Sequence, residues 1–207
     1  IDNRIKDINV GPDSHSITDQ TQGNWNGIAG RIELQTTPKV HFSDNQIYPD
    51  LKDRKATVRI SLYAPASAKA TLQLSAESFN SDKKHSVPTV QQNISVRSGA
   101  NKIEMELPMG EGFLTWHEFD PALYKLTATL TCGKEREAKE VQFGMREFTI
   151  KGKWFYVNGR KTMLRGTVEN CDFPLTGYAP MDVASWERAF RICRNYGLNH
   201  MRFHSFC

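Results

Sequence analysis

The sequence is poor in the features that would place it in a specialised class. It has four cysteines in 207 residues, Cys132, Cys171, Cys193 and Cys207. None forms a Cys-x-x-Cys pair or a zinc-ligand spacing, so they read as buried or free thiols, with a disulfide left open. The six histidines are dispersed. Neither a metal site nor a dissociable cofactor is predicted within the chain. No apolar run reaches the roughly 18 residues of a membrane-spanning helix, and no membrane partner is expected. Charge of one sign is also scarce. The 27 basic and 23 acidic residues leave +4, and the basic ones are scattered along the sequence rather than gathered in a stripe. That argues against a nucleic-acid partner. Internal repeats and low-complexity tracts are missing. The opening IDNRIKDINV lacks the apolar segment of a signal peptide.

What is present suffices for a buried core. Hydrophobic residues make up 39% of the chain, with 11 Phe, 4 Trp and 6 Tyr. The length suits one large domain or two ordinary ones. Between Pro38 and Phe148 the pattern is period-2 alternation in short runs, the mark of strands with one buried face. In one run Ala56, Val58, Ile60 and Leu62 alternate with Thr57, Arg59, Ser61 and Tyr63. Ile103, Met105 and Leu107 do the same, as do Tyr124, Leu126, Ala128 and Leu130. Turn clusters at 78–86 and 97–101 separate the runs. About seven strands are predicted, in two antiparallel sheets packed face to face. The expected core includes Val58, Ile60, Leu62, Leu72, Leu74, Ile103, Met105, Leu107, Leu126, Leu130 and Phe143. An immunoglobulin-like sandwich fits this pattern, without the Cys…Trp…Cys spacing of true immunoglobulin domains.

The flanks differ. Residues 1–37 are polar and rich in turn formers, then end in a strand-like GRIELQ. They are too short for a domain and read as the last strands of a preceding β domain. After Gly152 an aromatic strand meets Asn158-Gly159, a two-residue hairpin signal. Residues 162–168 read as a short strand and 169–180 as a loop. A helix is predicted next, with Asp182 as N-cap, Val183, Trp186, Phe190 and Cys193 as its apolar stripe, and Gly197 past its end. Residues 198–204 read as a strand. Strand, loop, helix, strand is a βαβ unit, and a parallel sheet needs more than two strands to cover its faces. Both chain ends are therefore read as cuts in a longer protein.

The order of motifs resembles glycoside hydrolase family 2, the β-galactosidase, β-glucuronidase and β-mannosidase family. The motifs are Asn24–Leu34, then Asp120-Pro121-x-Leu123-Tyr124, then Phe143-Gly144-x-Arg146. Asn158-Gly159 with Leu164-Arg165-Gly166, and Gly197-x-Asn199-x-x-Arg202, complete the series. The resemblance implies a mainly β chain in three parts. Residues 1–37 would be the C-terminal strands of a jelly-roll sugar-binding domain. Residues 38–150 would be the immunoglobulin-like antiparallel β-sandwich. Residues 151–207 would be the N-terminal start of a TIM-barrel catalytic domain, namely the first βαβ unit of a truncated (β/α)8 barrel. It further implies a retaining hydrolase of O-glycosidic bonds, β-galactosidase-like, with a carbohydrate substrate. Retaining glycosidases use two carboxylates about 5 Å apart. In the family the acid/base is the Glu of an Asn-Glu pair, and this sequence has no such pair. No catalytic residue is therefore assigned within the chain, and the chain alone is expected to be inactive.

Four residues are candidates for substrate binding or active-site support. The resemblance gives Arg202 the role of supporting the nucleophile carboxylate, and His204 and Asn170 or Glu169 that of contacting sugar. Ser205 stands where the family usually has its histidine, with His204 one place earlier. The ENCD sequence at 169–172 departs from the basic, His-containing stretch of the β-galactosidase branch. Trp116 and Trp186 are expected to pack, with Trp25 the one tryptophan to test for ligand contact. Arg146 is expected in an ion pair between domains. The resemblance favours a periplasmic or secreted location, and a homo-oligomer is compatible with it. The alternative is a non-catalytic immunoglobulin-like module with a structural or carbohydrate-binding role.

Overall fold

In the computed structural model, residues 32–170, 173 and 175–203 are described. Expectations for residues 1–31, including Trp25 and most of the jelly-roll segment, lie outside them, as do Cys171, Asp172 and His204. The strands are β1 (His41–Asp50), β2 (Lys55–Ala64), β3 (Ala68–Phe79), β4 (Ser86–Val96), β5 (Gly99–Pro108), β6 (Trp116–His117) and β7 (Asp120–Pro121). There follow β8 (Leu123–Cys132), β9 (Glu135–Phe143), β10 (Phe148–Lys151), β11 (Trp154–Val157), β12 (Arg160–Thr162) and β13 (Gly166–Glu169). Helix α1 (Val183–Asn195) and strand β14 (His200–Phe203) complete the chain. It divides into two compact units, Gln35–Thr162 on one hand and Ile1–Leu34 with Met163–Cys207 on the other.

The first of these holds two antiparallel sheets, ordered β1-β2-β5 and β4-β3-β8-β9. These are the seven long strands that the alternation predicts, joined by the two-residue pair β6/β7. The three-plus-four order departs from the four-plus-three of constant-type immunoglobulin domains. Here β4 turns back in a hairpin onto β3 instead of crossing to the opposite sheet.

The alternation sets the packing. Val58, Leu62, Leu72, Leu74, Leu107, Leu126 and Tyr124 are fully shielded from water, and Ile60 and Leu130 nearly so, in one continuous core. Each large aliphatic buried this way contributes about 1.5–3 kcal/mol. The intervening residues face solvent and pair across strands. Arg59 meets Glu104 at 2.9 Å, with its guanidinium 4.5 Å above the Tyr48 ring, and Lys55 bonds Glu106. One expected core residue differs: Ile103 is only partly buried against the cluster. It lies on the edge strand β5, whose Met105 and Leu107 are buried, so edge position alone does not account for it.

The two sheets are also tied at one side. β1 is an edge strand of its sheet. Its ladder slips between Phe42 and Asp44 with Phe42 still opposite Leu62, and the Phe42 backbone needs partners on the open edge. Glu137 and Lys139 of β9 supply the partners. The Phe42 N–H donates to Glu137 Oε2 at 2.8 Å, and Lys139 Nζ donates to the Phe42 carbonyl at 3.2 Å. Phe42 is itself in the core, so losing a partner there leaves a buried backbone group unsatisfied. Glu137→Ala should lower unfolding stability by about 1–3 kcal/mol and speed amide exchange in β1. Urea unfolding with hydrogen exchange reads both, and an unchanged midpoint would show that the tie contributes nothing.

Candidate functional site

The Phe143–Arg146 motif and the Asn158-Gly159 turn prove to be parts of one joint within the Gln35–Thr162 unit. Asn158 and Gly159 both have positive φ, +51° and +74°. This is the geometry of a tight hairpin turn, which asparagine and glycine alone tolerate well. The Asn158 side chain then reaches beyond the turn. Its Nδ2 donates to the Trp116 carbonyl at 2.8 Å, and its Oδ1 accepts from the Glu147 N–H at 2.9 Å. The Asn158 N–H donates to the Glu147 carbonyl. Gly144 leaves the space Trp116 needs, since a Cβ there would stand 3.1 Å from the Trp116 Cβ. Phe143 stacks on Tyr124 with centroids 5.5 Å apart. The Tyr124 hydroxyl accepts from the Leu114 N–H and bonds His85 Nδ1, and burial holds its pKa above the ordinary value. The Arg146 guanidinium lies 4.6 Å over the Trp116 ring. This is a cation–π contact inside its own unit.

The other unit is described from Met163. Its strands β13 and β14 run parallel, with Gly166 opposite His200, Thr167 opposite Met201, Val168 opposite Arg202 and Glu169 opposite Phe203. Helix α1 makes the crossover. Asp182 caps it as predicted: its carboxylate accepts from the Ser185 N–H at 2.8 Å and from the Ser185 hydroxyl at 2.9 Å. These bonds hold its pKa below the ordinary carboxylate value. At the far end Gly197 has φ +77°. Its N–H bonds the Arg194 carbonyl, and that of Leu198 bonds the Cys193 carbonyl, a Schellman closure. Trp186 packs as expected, against Phe173, Phe190 and Phe203, and its Nε1 donates to the Pro180 carbonyl. Val183, expected on the same stripe, is 74% exposed. It opens the helix, and side chains of a first turn lean back past the N-terminus rather than onto the packed face.

The predicted strand at 162–168 is interrupted. β12 ends at Thr162 and β13 begins at Gly166, because the backbone between them is claimed by the start of β14. Asn199 Oδ1 accepts from the Arg165 N–H at 2.8 Å, its Nδ2 donates to the Met163 carbonyl, and its N–H donates to the Arg165 carbonyl. Arg165 Nε donates to the Gly197 carbonyl at 2.8 Å. The two motifs matched separately in the sequence, Leu164–Gly166 and Gly197–Arg202, are therefore one hydrogen-bonded corner. Reading the sequence missed these positioning roles. A polar Asn two residues after a helix-closing Gly was the signal.

Faces follow from the register. Phe203 meets Trp186 of α1, so Phe203 and Met201 face the helix. His200 and Arg202 face away from it, beside Gly166 and Val168. Glu169 shares the Phe203 side of the ladder, so the structure does not bring Glu169 and Arg202 onto one face. Asn170 follows the end of β13 and is exposed. His204 lies outside the described residues. No group of three or more His, Cys, Asp and Glu side chains able to hold a metal occurs among the described residues. No described helix is long and apolar enough to cross a membrane.

Gly166 sets how closely the two strands meet. A Cβ there would stand 2.8 Å from His200 Cδ2, inside contact distance. Gly166→Ala should loosen the pairing and raise amide exchange across 166–169 and 200–203. Adding His200→Ala should restore protection, since the nearest clashing atom goes with the imidazole. Equal exchange in all three proteins would show that this contact does not govern the pairing.

Comparison with known proteins locates this architecture. A family model, glycosyl hydrolases family 2, matches residues 40–146. The β-galactosidase of Thermoanaerobacter pseudethanolicus is 26% identical over 197 residues, covering 93% of this chain and 25% of that protein. A β-glucuronidase from Parabacteroides merdae shares the fold with a TM-score of 0.64 at 23% identity, over 82% of this chain and 21% of that one. A family 2 member from Bacteroides cellulosilyticus superposes with a TM-score of 0.70 at 18% identity, over 81% of this chain and 24% of that one. The chain spans between 9% and 25% of the length of the curated relatives it matches. The matched residues make up more than half of the sequence and comprise the two packed sheets, and the chain belongs to glycosyl hydrolases family 2.

Proposed function

We propose that this chain is a portion of a retaining β-glycosidase. In this reading residues 1–37 end a sugar-binding jelly roll, 38–150 form the immunoglobulin-like sandwich, and 151–207 begin the (β/α)8 barrel. The observation that carries it is the parallel β13–α1–β14 unit following a family 2 sandwich. In such barrels the strand face turned from the helices lines the interior, and the strand C-termini ring the active site. Arg202 meets both conditions: it faces away from α1 and sits one residue before the end of β14.

The roles follow from charge. A retaining mechanism needs one carboxylate to attack the anomeric carbon and a second to protonate the departing oxygen. A guanidinium beside the first keeps it ionised and therefore nucleophilic. We assign that support to Arg202. His204, two residues further on in the sequence, is assigned a substrate contact. Glu169 and Asn170, at the C-terminal end of β13, are assigned to the sugar-binding rim. Both catalytic carboxylates are assigned to other strands of the barrel. The substrate is a β-linked carbohydrate, as the β-galactosidase and β-glucuronidase names of the relatives suggest.

The 207-residue chain should not turn over aryl β-galactoside, β-glucuronide or β-mannoside. In the longer protein Arg202→Ala should lower kcat by about 10²–10³-fold with a smaller change in KM. Turnover by the 207-residue chain that disappears in Glu169→Gln would overturn the assignment.

A further inference from the structure

We propose that the β10–β12 hairpin sheet presents a second glycan-binding face, one that takes a polyanionic carbohydrate such as a uronic-acid polymer. The first observation is where the charge lies. The segment 148–162 carries Lys151, Lys153, Arg160 and Lys161 and no acidic residue. The remaining 23 basic residues equal the 23 acidic ones, so the hairpin holds the whole net charge of +4. Elsewhere local excesses of either sign cancel over the chain as a whole. None of the four is in an ion pair among the described residues.

The second observation is how the sheet sorts its side chains. Lys151 pairs with Trp154 across β10 and β11, and Tyr156 pairs with Lys161 across β11 and β12. These four therefore share one face, with Thr149 beside Tyr156. The alternate positions, Phe148, Ile150, Phe155 and Val157, take the other face, and Arg160, opposite Val157, goes with them. On the basic face the lysines sit against the rings. Lys161 Nζ is 3.1 Å and Lys153 Nζ 5.5 Å from the Trp154 centroid, and Lys151 Nζ is 5.4 Å from the Tyr156 centroid. Contact with the rings restrains ammonium groups that would otherwise sample many rotamers, and ordering them in advance lowers the cost of binding.

The combination selects the ligand. Ammonium groups pair with carboxylates or sulfates. The half-buried rings of Trp154 and Tyr156 offer apolar edges that the C–H faces of a pyranose can cover. A neutral sugar would leave the lysines without partners, and an acidic peptide would leave the aromatic surface uncovered. A polymer of uronic acids satisfies both. This inference concerns a face within the Gln35–Thr162 unit and stands without the glycosidase reading.

The test titrates the 207-residue chain with polygalacturonate oligomers in roughly 0.15 M salt, read by tryptophan fluorescence and calorimetry. The expected result is saturable binding that weakens by about tenfold or more in Lys151→Gln/Lys161→Gln. Lys83→Gln/Lys84→Gln, on the β3–β4 loop, should bind as the unaltered chain does. Neutral galactan oligomers should not bind. Both variants change exposed side chains, and matching circular dichroism and melting curves confirm their fold. Absence of binding would overturn the proposal, as would binding that the Lys151/Lys161 change leaves intact. Equally tight binding of polyglutamate or single-stranded DNA would also overturn it, because charge alone would then suffice.

Discussion

Val58, Ile60, Leu62 and Leu107 on one sheet, with Leu72, Leu74, Leu126 and Leu130 on the other, escape water against one another. Neither sheet has another way to bury its apolar face. Register follows from that requirement, since a slip of one residue in β2 would turn Val58 and Ile60 outward and Arg59 inward. The edges then need separate treatment. At the edge strand β1 the Phe42 backbone bonds Glu137 and Lys139, which brings the outer strand of one sheet against the outer strand of the other. The same packing orders the end of the unit. Tyr124 is buried beside Phe143, its hydroxyl holds the Leu114 N–H, and Trp116 follows two residues later as the anchor for Arg146 and Asn158.

How much of this was legible in the sequence depended on whether the cause was local. Alternation in residues 56–62 and 124–130 identified the buried faces, because a strand's period is 2 whatever its neighbours. The Asn158-Gly159 turn, the Asp182 cap and the Gly197 closure were also legible, since each follows from the conformational preferences of one or two residues. Ile103 has the same alternation as Met105 on the same strand, yet it is only partly buried, and alternation alone does not report how well each position is covered. Val183 fits the helical spacing yet is 74% exposed, and Phe190 on the same stripe is 45% exposed; spacing alone does not report how much of a stripe is covered. The hold of Asn199 on Met163 and Arg165 spans more than thirty residues, and no periodicity reports a contact of that kind.

The candidate site divides along the same line. Arg202 came from a motif, and the ladder adds which way it faces. Gly166 leaves the space that lets the two strands meet closely beside His200. Glu169 lies one position on from the partner of Arg202, and the pleat turns the two to opposite faces. Net charge shows the limit of composition most plainly. A total of +4 over 207 residues reads as a mild average, whereas the hairpin sets Lys151, Lys153 and Lys161 beside Trp154 and Tyr156.

The central claim is that this chain frames a glycosidase active site whose reacting carboxylates belong to other barrel strands. Trapping the longer protein with a mechanism-based inactivator that forms a glycosyl ester tests it most directly, with the labelled peptide identified by mass spectrometry. The account predicts a label on a carboxylate outside residues 1–207. A label on Glu169, or on any other acidic residue of this chain, would contradict it.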